Sequence, residues 1–356
     1  MKWNGKIDLY LPSGYLNAEG VLDTPFTFIW CVGARAVGKT YGFSLWPFVH
    51  LKAGEKFLLL RRTQTQVEAI TAPGFSPFEV YNRDFGWNIG VFPIAKNLFG
   101  VYHSEPDENG KLKPSGECLG YVGALSTMAN ARGFDAAAIQ YIYYDEFIKE
   151  PHQKAIKGEG EALLNLYETI NRNRELEGKP ACRMVCASNS VDLANPYFVL
   201  LGLVTKYEKM IKEGKQYKAL LDRSTLIMSL DNSPISQRKK ETALYRMARD
   251  TQFNKMALEN DFDVNFGEYQ SLDLNQFNPK VCIGEITIYK HKSNGTYYVC
   301  THKRGSPPEF GASKAERDRF RKANGIWVVN AYLGRKMRFE TYYCETLLTE
   351  YLKTSG

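Results

Sequence analysis

The sequence predicts an α/β fold: a parallel sheet with helices on both faces, then a small helical lid or linker, then a small α+β domain. Three observations predict it. Short apolar strands alternate with helical stretches from residue 26 to about residue 200, a charged helical segment follows residue 230, and strand-like alternation returns beyond residue 267. The boundaries that follow are 1–230, 231–266 and 267–356.

The first strand is FTFIWCV (26–32), and YGFSLWPFVHLKAG (41–54) is its helix, closed by Gly54. KFLLLRR (56–62) is the next strand. The stretch LFGVYHSEPDENGKLKPSGECLGYVGAL (98–125) reads as a hairpin around the turn-forming DENG. Then come the strand AIQYIYYDEF (138–147), the helix EALLNLYETINRNREL (161–176) and the strand CRMVCASN (182–189). The strands near 142 and 184 are apolar almost throughout, as strands covered on both faces must be. SQRKKETALYRMARDTQFNKMALENDF (236–262) is the charged helical segment, and VCIGEITIYKHK and GTYYVCTHK, joined by SNG, supply strands of the last domain.

Composition excludes several classes. Apolar runs stop well short of the roughly 20 residues a membrane span requires, and MKWNGKIDLY has no signal-peptide apolar region, so a cytosolic protein is expected. Seven cysteines, scattered with no Cys-x-x-Cys pair, indicate reduced buried thiols rather than zinc or a disulfide framework. The net charge of +7 has the sign for meeting polyphosphate. Residues 267–356 hold 14 Lys and Arg against 9 Asp and Glu, an excess of +5.

GARAVGKT (33–40) matches Gly-x-x-x-x-Gly-Lys-Thr between a strand and a helix, the context that gives this loop its meaning. Gly33 and Gly38 let the backbone of Ala34, Arg35, Ala36 and Val37 wrap a triphosphate at the positive end of the following helix. Lys39 would contact the β and γ phosphates, and the Thr40 hydroxyl would hold Mg²⁺. YIYYDEF ends a strand in Asp145-Glu146: Asp145 suits Mg²⁺, and Glu146 suits a general base that polarises water. The bland readings are a chance glycine loop and two surface acids. Three weaker signals keep two readings each. Arg35 reaches the γ phosphate or is solvated; Arg172 and Arg174 act on a nucleotide or complement a helix dipole; Asn189 senses the γ phosphate at a strand end or forms a turn.

GARAVGKTY, YYDEFIKE, LLNLYETINRNRE and SNSVDLANPYF, in that order and spacing, resemble the genome-packaging ATPases of small short-tailed phages, Picovirinae type. The resemblance is strong from residue 26 to about 200 and thin afterwards. It implies an additional-strand, catalytic-glutamate P-loop NTPase that hydrolyses ATP with Mg²⁺ and translocates double-stranded DNA. It would work as a homopentameric ring in the host cytoplasm, on the portal vertex of a procapsid and not on a membrane. On the matching positions, Lys39 holds ATP, Asp145 the metal, Glu146 is catalytic, and Arg172 is an arginine finger acting in trans. Arg132 falls on a DNA-contacting residue. Arg61 and Arg62 match an Arg-Arg pair that lines the pore or the nucleotide site, and Gln64 stands where a relative has a pore lysine. The C-terminal domain would be ribonuclease-H-like without its metal-binding acids, with Glu285 alone in its strand, and would dock on the portal, in some members through a packaging RNA. A small-molecule or nucleotide kinase, and a nucleic-acid scaffold with a structural P-loop, are the rival readings.

Overall fold

The computed structural model describes all residues except 1, 2, 4, 73, 129–135, 151, 152, 190, 191, 231, 232, 250–268 and 353–356. The chain divides into two compact units: Met1–Leu200 with Gly214–Phe262, and Leu201–Glu213 with Asp263–Gly356.

The first unit is built on nine strands: β1 Phe28–Gly33, β2 Lys56–Arg61, β3 Ile89–Ala95, β4 Leu98–Pro106, β5 Leu112–Ala124, β6 Ile139–Asp145, β7 Arg183–Ser188, β8 Tyr217–Leu220 and β9 Thr225–Leu230. Their order is β3-β4-β5-β2-β6-β7-β1-β9-β8. The six strands from β5 to β9 are parallel, and the outer strands β3, β4 and β8 are antiparallel to their neighbours. Registers align Val32 with Ser188, Asp145 with Ala187 and Leu60 with Tyr144, so Gly33, Arg61, Asp145 and Ser188 all end on one edge of the sheet. That carboxyl edge is where open α/β sheets bind ligands. The expected hairpin is β4–β5; β3 adds a third antiparallel strand beyond it, with Pro93 accommodated because β3 is an edge.

Helix Lys39–His50 follows β1 and contains Pro47. A proline there removes the donor for the Phe43 carbonyl. The Tyr141 hydroxyl of β6 supplies the missing hydrogen bond to Phe43 O at 3.0 Å, fastening the helix to the sheet. The helix expected over 161–176 spans Glu159–Asn171, and Arg172 ends it with φ 45°.

The second unit has five strands, β10 Phe277–Ile283, β11 Ile286–His291, β12 Tyr297–Cys300, β13 Glu309–Phe310 and β14 Met337–Phe339, in the order β13-β10-β11-β12-β14. VCIGEITIYKHK is not one strand: the chain reverses at Gly284, φ 55°, and its halves pair as β10 and β11. Helices Lys314–Leu333 and Tyr342–Leu352 supply the core residues Phe320, Val328, Leu348 and Tyr351. Helix Val204–Lys212, expected in the first domain, packs on Tyr342–Leu352 and buries Val204, Tyr207, Glu208 and Met210, so it belongs to this unit. Of the expected lid, helices Pro234–Lys239 and Ala243–Met247 group with the first unit, and 250–266 lie outside the described residues. All seven cysteines are free thiols, six of them buried. Among the described residues no helix is long and apolar enough to cross a membrane.

Candidate active site

The loop after β1 owes its course to two glycines. A Cβ on Gly33 would stand 2.6 Å from the Leu230 Cβ of β9, so only glycine lets these strands approach as they do. Gly38 has φ 94° and caps helix Lys39–His50, turning the backbone N–H groups at the helix start toward the space above the sheet. Ala36 also has positive φ, 58°, a left-handed value that costs an L-residue roughly 1–2 kcal/mol.

Lys39 is buried, and its ammonium donates to Gly33 O at 2.8 Å, Ala34 O at 2.7 Å and Asn189 Oδ1 at 3.3 Å. Burial pushes it down to about 8, with Cys31, Asp145 and Glu146 opposing and Arg35 adding to the shift. The loop carbonyls hold it where a polyanion would be met.

Opposite it, Thr40 Oγ1 donates to Asp145 at 3.2 Å, and the Tyr143 hydroxyl donates to Asp145 Oδ1 at 2.8 Å. Burial and the neighbouring Asp145 push Tyr143 well above the ordinary phenol range, so it stays a donor. Arg61, at the end of β2, spans both acids: its guanidinium lies 2.7 Å from Asp145 Oδ2 and 2.7 Å from Glu146 Oε2. Glu146 has φ 55°, and its N–H donates to Ala187 O at 2.8 Å, which holds this strained backbone in place. Its side chain is 46% exposed while that of Asp145 is 4% exposed, so one acid is a wall and the other faces the opening.

Lys39, Thr40, Asp145 and Glu146 line one cavity of about 400 Å³, together with Tyr15, Arg35, Tyr41, Ser188 and Asn189. An apolar cavity of about 530 Å³ shares Tyr15, Gly38 and Tyr41 with it and is lined further by Leu45 and Trp46. Tyr15 belongs to no motif, and only the folded chain assigns it here; Tyr41 closes the GARAVGKTY stretch.

The other expected residues separate. Arg35 lines the cavity but pairs with Glu150 at 3.0 Å. Arg62 corrects the sequence reading: its side chain is 0% exposed and grips Glu159 with Nε at 2.5 Å and a second nitrogen at 2.9 Å, where no DNA reaches. Arg61 is likewise buried and is committed to Asp145 and Glu146. Gln64 accepts from Thr127 Oγ1 at 3.3 Å. Arg174 is buried against the carbonyls of Ala137 and Ile139, a structural clasp. Arg172 is exposed, among the described residues its side chain bonds to Thr169 O of its own helix at 3.0 Å, and it does not line the cavity. Arg132 lies outside the described residues.

Fold and pocket define the P-loop class of α/β proteins, with a lysine loop facing an acid-ended strand. The chain belongs to the family described as Podovirus DNA encapsidation protein (Gp16), whose model matches residues 110–303, more than half of its length. The model for the N-terminal part of the T4-like terminase large subunit matches residues 30–178. The DNA packaging protein of Bacillus phage B103 is 28% identical over 233 residues, 65% of this chain and 63% of that one. Its counterpart in Bacillus phage phi29 is 27% identical over 255 residues, 71% of this chain and 65% of that one. The chain therefore aligns with a little under two thirds of each relative's length. In fold it is similar to a chain of the bacteriophage Phi-29 genome packaging motor assembly, with TM-score 0.64, 20% identity, and 95% and 99% of the two chains covered. A chain of the Phi-28 gp11 DNA packaging motor gives 0.62 and 19%, covering 96% and 99%.

Proposed function

We propose that this chain is an ATP-driven translocase of double-stranded DNA that packages a viral genome into a procapsid, working as a homomeric ring of five on the portal vertex in the host cytoplasm. One observation carries the reading: in a DNA encapsidation family member, buried Lys39 faces Thr40, Asp145 and Glu146 across a single cavity that joins an apolar one. The relatives' description as DNA packaging proteins supports it.

The triphosphate fits the polar cavity, with the N–H groups at the start of helix Lys39–His50 and the Lys39 ammonium around it. The nucleoside fits the apolar cavity past Tyr15 and Tyr41. Thr40 Oγ1 and Asp145, oxygen donors side by side, suit Mg²⁺, which would neutralise charge on the phosphate oxygens when bound. Glu146 is the general base for water, but here Arg61 occupies its carboxylate. Hydrolysis therefore requires Glu146 to leave Arg61, which couples the chemistry to movement at the end of β2. Asn189, already on the Lys39 ammonium, stands where it can sense the γ phosphate, and Arg35 reaches the same cavity once free of Glu150. Arg172 is an exposed guanidinium available to a neighbouring subunit's site.

DNA would be held through phosphates, with Arg132 as one contact, making translocation sequence-tolerant and salt-sensitive. The C-terminal unit would meet the portal, directly or through a packaging RNA. The antiparallel meander β10-β11-β12 with β13 parallel to β10 supports a ribonuclease-H-like ancestry, while β14, parallel to β12 on the opposite edge, departs from that fold's strand order. Glu285 accepts from Tyr343 at 2.9 Å, a structural use of the acid, and no nuclease activity is expected.

The test measures ATP hydrolysis by the full chain with and without duplex DNA and procapsids. The expected result is DNA-stimulated hydrolysis that Glu146→Gln abolishes while leaving ATP binding intact. DNA-independent phosphoryl transfer to a nucleotide or small-molecule hydroxyl would establish the kinase reading instead.

A further inference from the structure

Arg172 sits in a turn that favours glycine. Its N–H donates to Glu168 O at 2.8 Å and closes helix Glu159–Asn171; Arg174 N–H then donates to Asn171 O at 3.2 Å, so residues 171–174 form a β-turn with Arg172 second. There Arg172 has φ 45° and ψ −129°, the angles of a type II′ turn, whose second residue is ordinarily glycine because a Cβ is crowded at positive φ. The turn itself thus gives no reason for an arginine, and the side chain is exposed.

Buried residues on either side hold the strained turn. Asn171 accepts from Cys182 N–H at 2.8 Å and donates to Glu175 Oε2 at 3.2 Å. Arg174 spreads its guanidinium over three acceptors at the start of β6, Ala137 O, Gln140 Oε1 and Ile139 O, the last at 2.7 Å. Its own carbonyl accepts from Glu177 and Lys179 N–H at 3.0 and 2.9 Å. Fixed through side chain and backbone alike, this arginine is a rigid mount, because releasing it would leave buried acceptors without partners.

The place of the mount decides what Arg172 can reach. Arg174 grips Ile139 at the first residue of β6, and Asp145 of the cavity is the last, a separation of about 20 Å at roughly 3.3 Å per residue. Helix Glu159–Asn171 covers the same span, about 20 Å at roughly 1.5 Å per residue, from Glu159, clasped by Arg62 just past the end of β2, to this turn. Arg172 therefore stands at the amino edge of the sheet, out of reach of its own cavity at the carboxyl edge. We propose that Arg174 is a positioning residue for catalysis in trans: anchored on β6, it locks the turn so that Arg172 meets a second copy's bound nucleotide in one fixed orientation. This rests on the reading of Arg172 as the cation that a neighbouring subunit's site borrows.

The experiment measures ATP turnover by the full chain with duplex DNA and procapsids, for Arg174→Met and Arg174→Lys alone and in equal mixtures whose co-assembly is shown by cross-linking. Displacing a reacting group by about an ångström costs on the order of 10²-fold, so Arg174→Met alone should lose about that much. Arg174→Lys keeps the charge without the planar fork and should lose less. Mixed with Glu146→Gln, Arg174→Met should regain turnover, because its own cavity is whole and the neighbour supplies a well-placed Arg172. Mixed with Arg172→Ala it should stay low, because neither subunit then presents a placed arginine. General damage gives a different pattern: a distorted β6 would displace Asp145 and leave both mixtures dead. Arg174→Lys should repeat the pattern at smaller amplitude, which keeps the test decisive where Arg174→Met does not fold. Parental turnover by Arg174→Met, or no recovery with Glu146→Gln where Arg172→Ala does recover with it, overturns the positioning role. If Arg172→Ala also stays dead with Glu146→Gln, the trans reading itself falls and this proposal with it.

Discussion

The two halves of the candidate active site are built in opposite ways. On the lysine side every charged group is held: Lys39 by two loop carbonyls, Asp145 by Thr40, Tyr143 and Arg61, and Glu146 by Arg61. Arg172, outside that cavity, stands exposed at a positive φ, and among the described residues its guanidinium bonds to Thr169 O of its own helix. Under the proposed ring reading the held cavity is the binding half, and Arg172 is the cation that a second copy would supply. The sharpest way to break this comparison is to mix two dead variants. Arg172→Ala should lower ATP turnover by about 10³-fold or more, and Glu146→Gln by about 10²–10⁴-fold. In a mixed ring an Arg172→Ala subunit keeps its glutamate and borrows arginine from a Glu146→Gln neighbour, so roughly a quarter of the sites in an equal mixture should recover. Turnover is measured with DNA and procapsids after co-assembly is shown by cross-linking. A mixture that co-assembles and stays dead removes Arg172 from the interface.

Adjacent arginines sharpen the contrast between function and scaffold. Arg61 lies against both acids of the cavity, whereas Arg62, one residue on, is wholly enclosed with Glu159, which also accepts from the Tyr197 hydroxyl at 2.9 Å. Removing one partner of such a pair leaves an uncompensated buried charge, at a cost of about 3–5 kcal/mol. Arg62→Met should therefore lower the unfolding free energy read from chemical denaturation by that amount, and Arg62→Met/Glu159→Gln should recover part of it. Had Arg62 gripped DNA, the single variant would keep its stability and lose DNA affinity instead.

That pair also marks where the sequence stops being readable. Strands β1, β2, β6 and β7 are legible because they are continuous apolar runs buried on both faces, and the loop at 33–40 because its glycines and lysine are fixed by local geometry. Arg61 and Arg62 read alike, since their partners lie far along the chain, Glu159 being 97 residues away. Arg172 and Arg174 are equally ambiguous on paper; only the fold shows that Arg174 clasps the carbonyls of Ala137 and Ile139 while Arg172 is exposed. Tyr15 carries no signal at all, because its place in the cavity depends on the N-terminal segment, where Leu16 N–H donates to Val37 O at 2.8 Å. The boundary at residue 230 overlooks the helix Val204–Lys212, whose buried face groups it with the second unit.

The smallest effect tests the held half directly, through the proton on Lys39. Burial has lowered this ammonium to about 8, so the free protein loses the charge as pH rises past that value, while a bound triphosphate would stabilise the charged form and raise it again. Between the two values binding must take up a proton, and ATP affinity should fall by up to about tenfold per pH unit; below about pH 7 the lysine is charged in both states and this dependence disappears. The sign is opposite for folding, because the unfolded lysine titrates at its ordinary value: between about 8 and 10.5 the unfolded chain holds more protons, so this group's contribution to stability rises with pH. Calorimetry of ATP binding in buffers of different ionisation heat should show little proton uptake near pH 7 and close to one proton near pH 9. Equal uptake at both would mean that the ammonium is not desolvated in the free protein, and that the loop carbonyls do not hold it in the pocket before the nucleotide arrives.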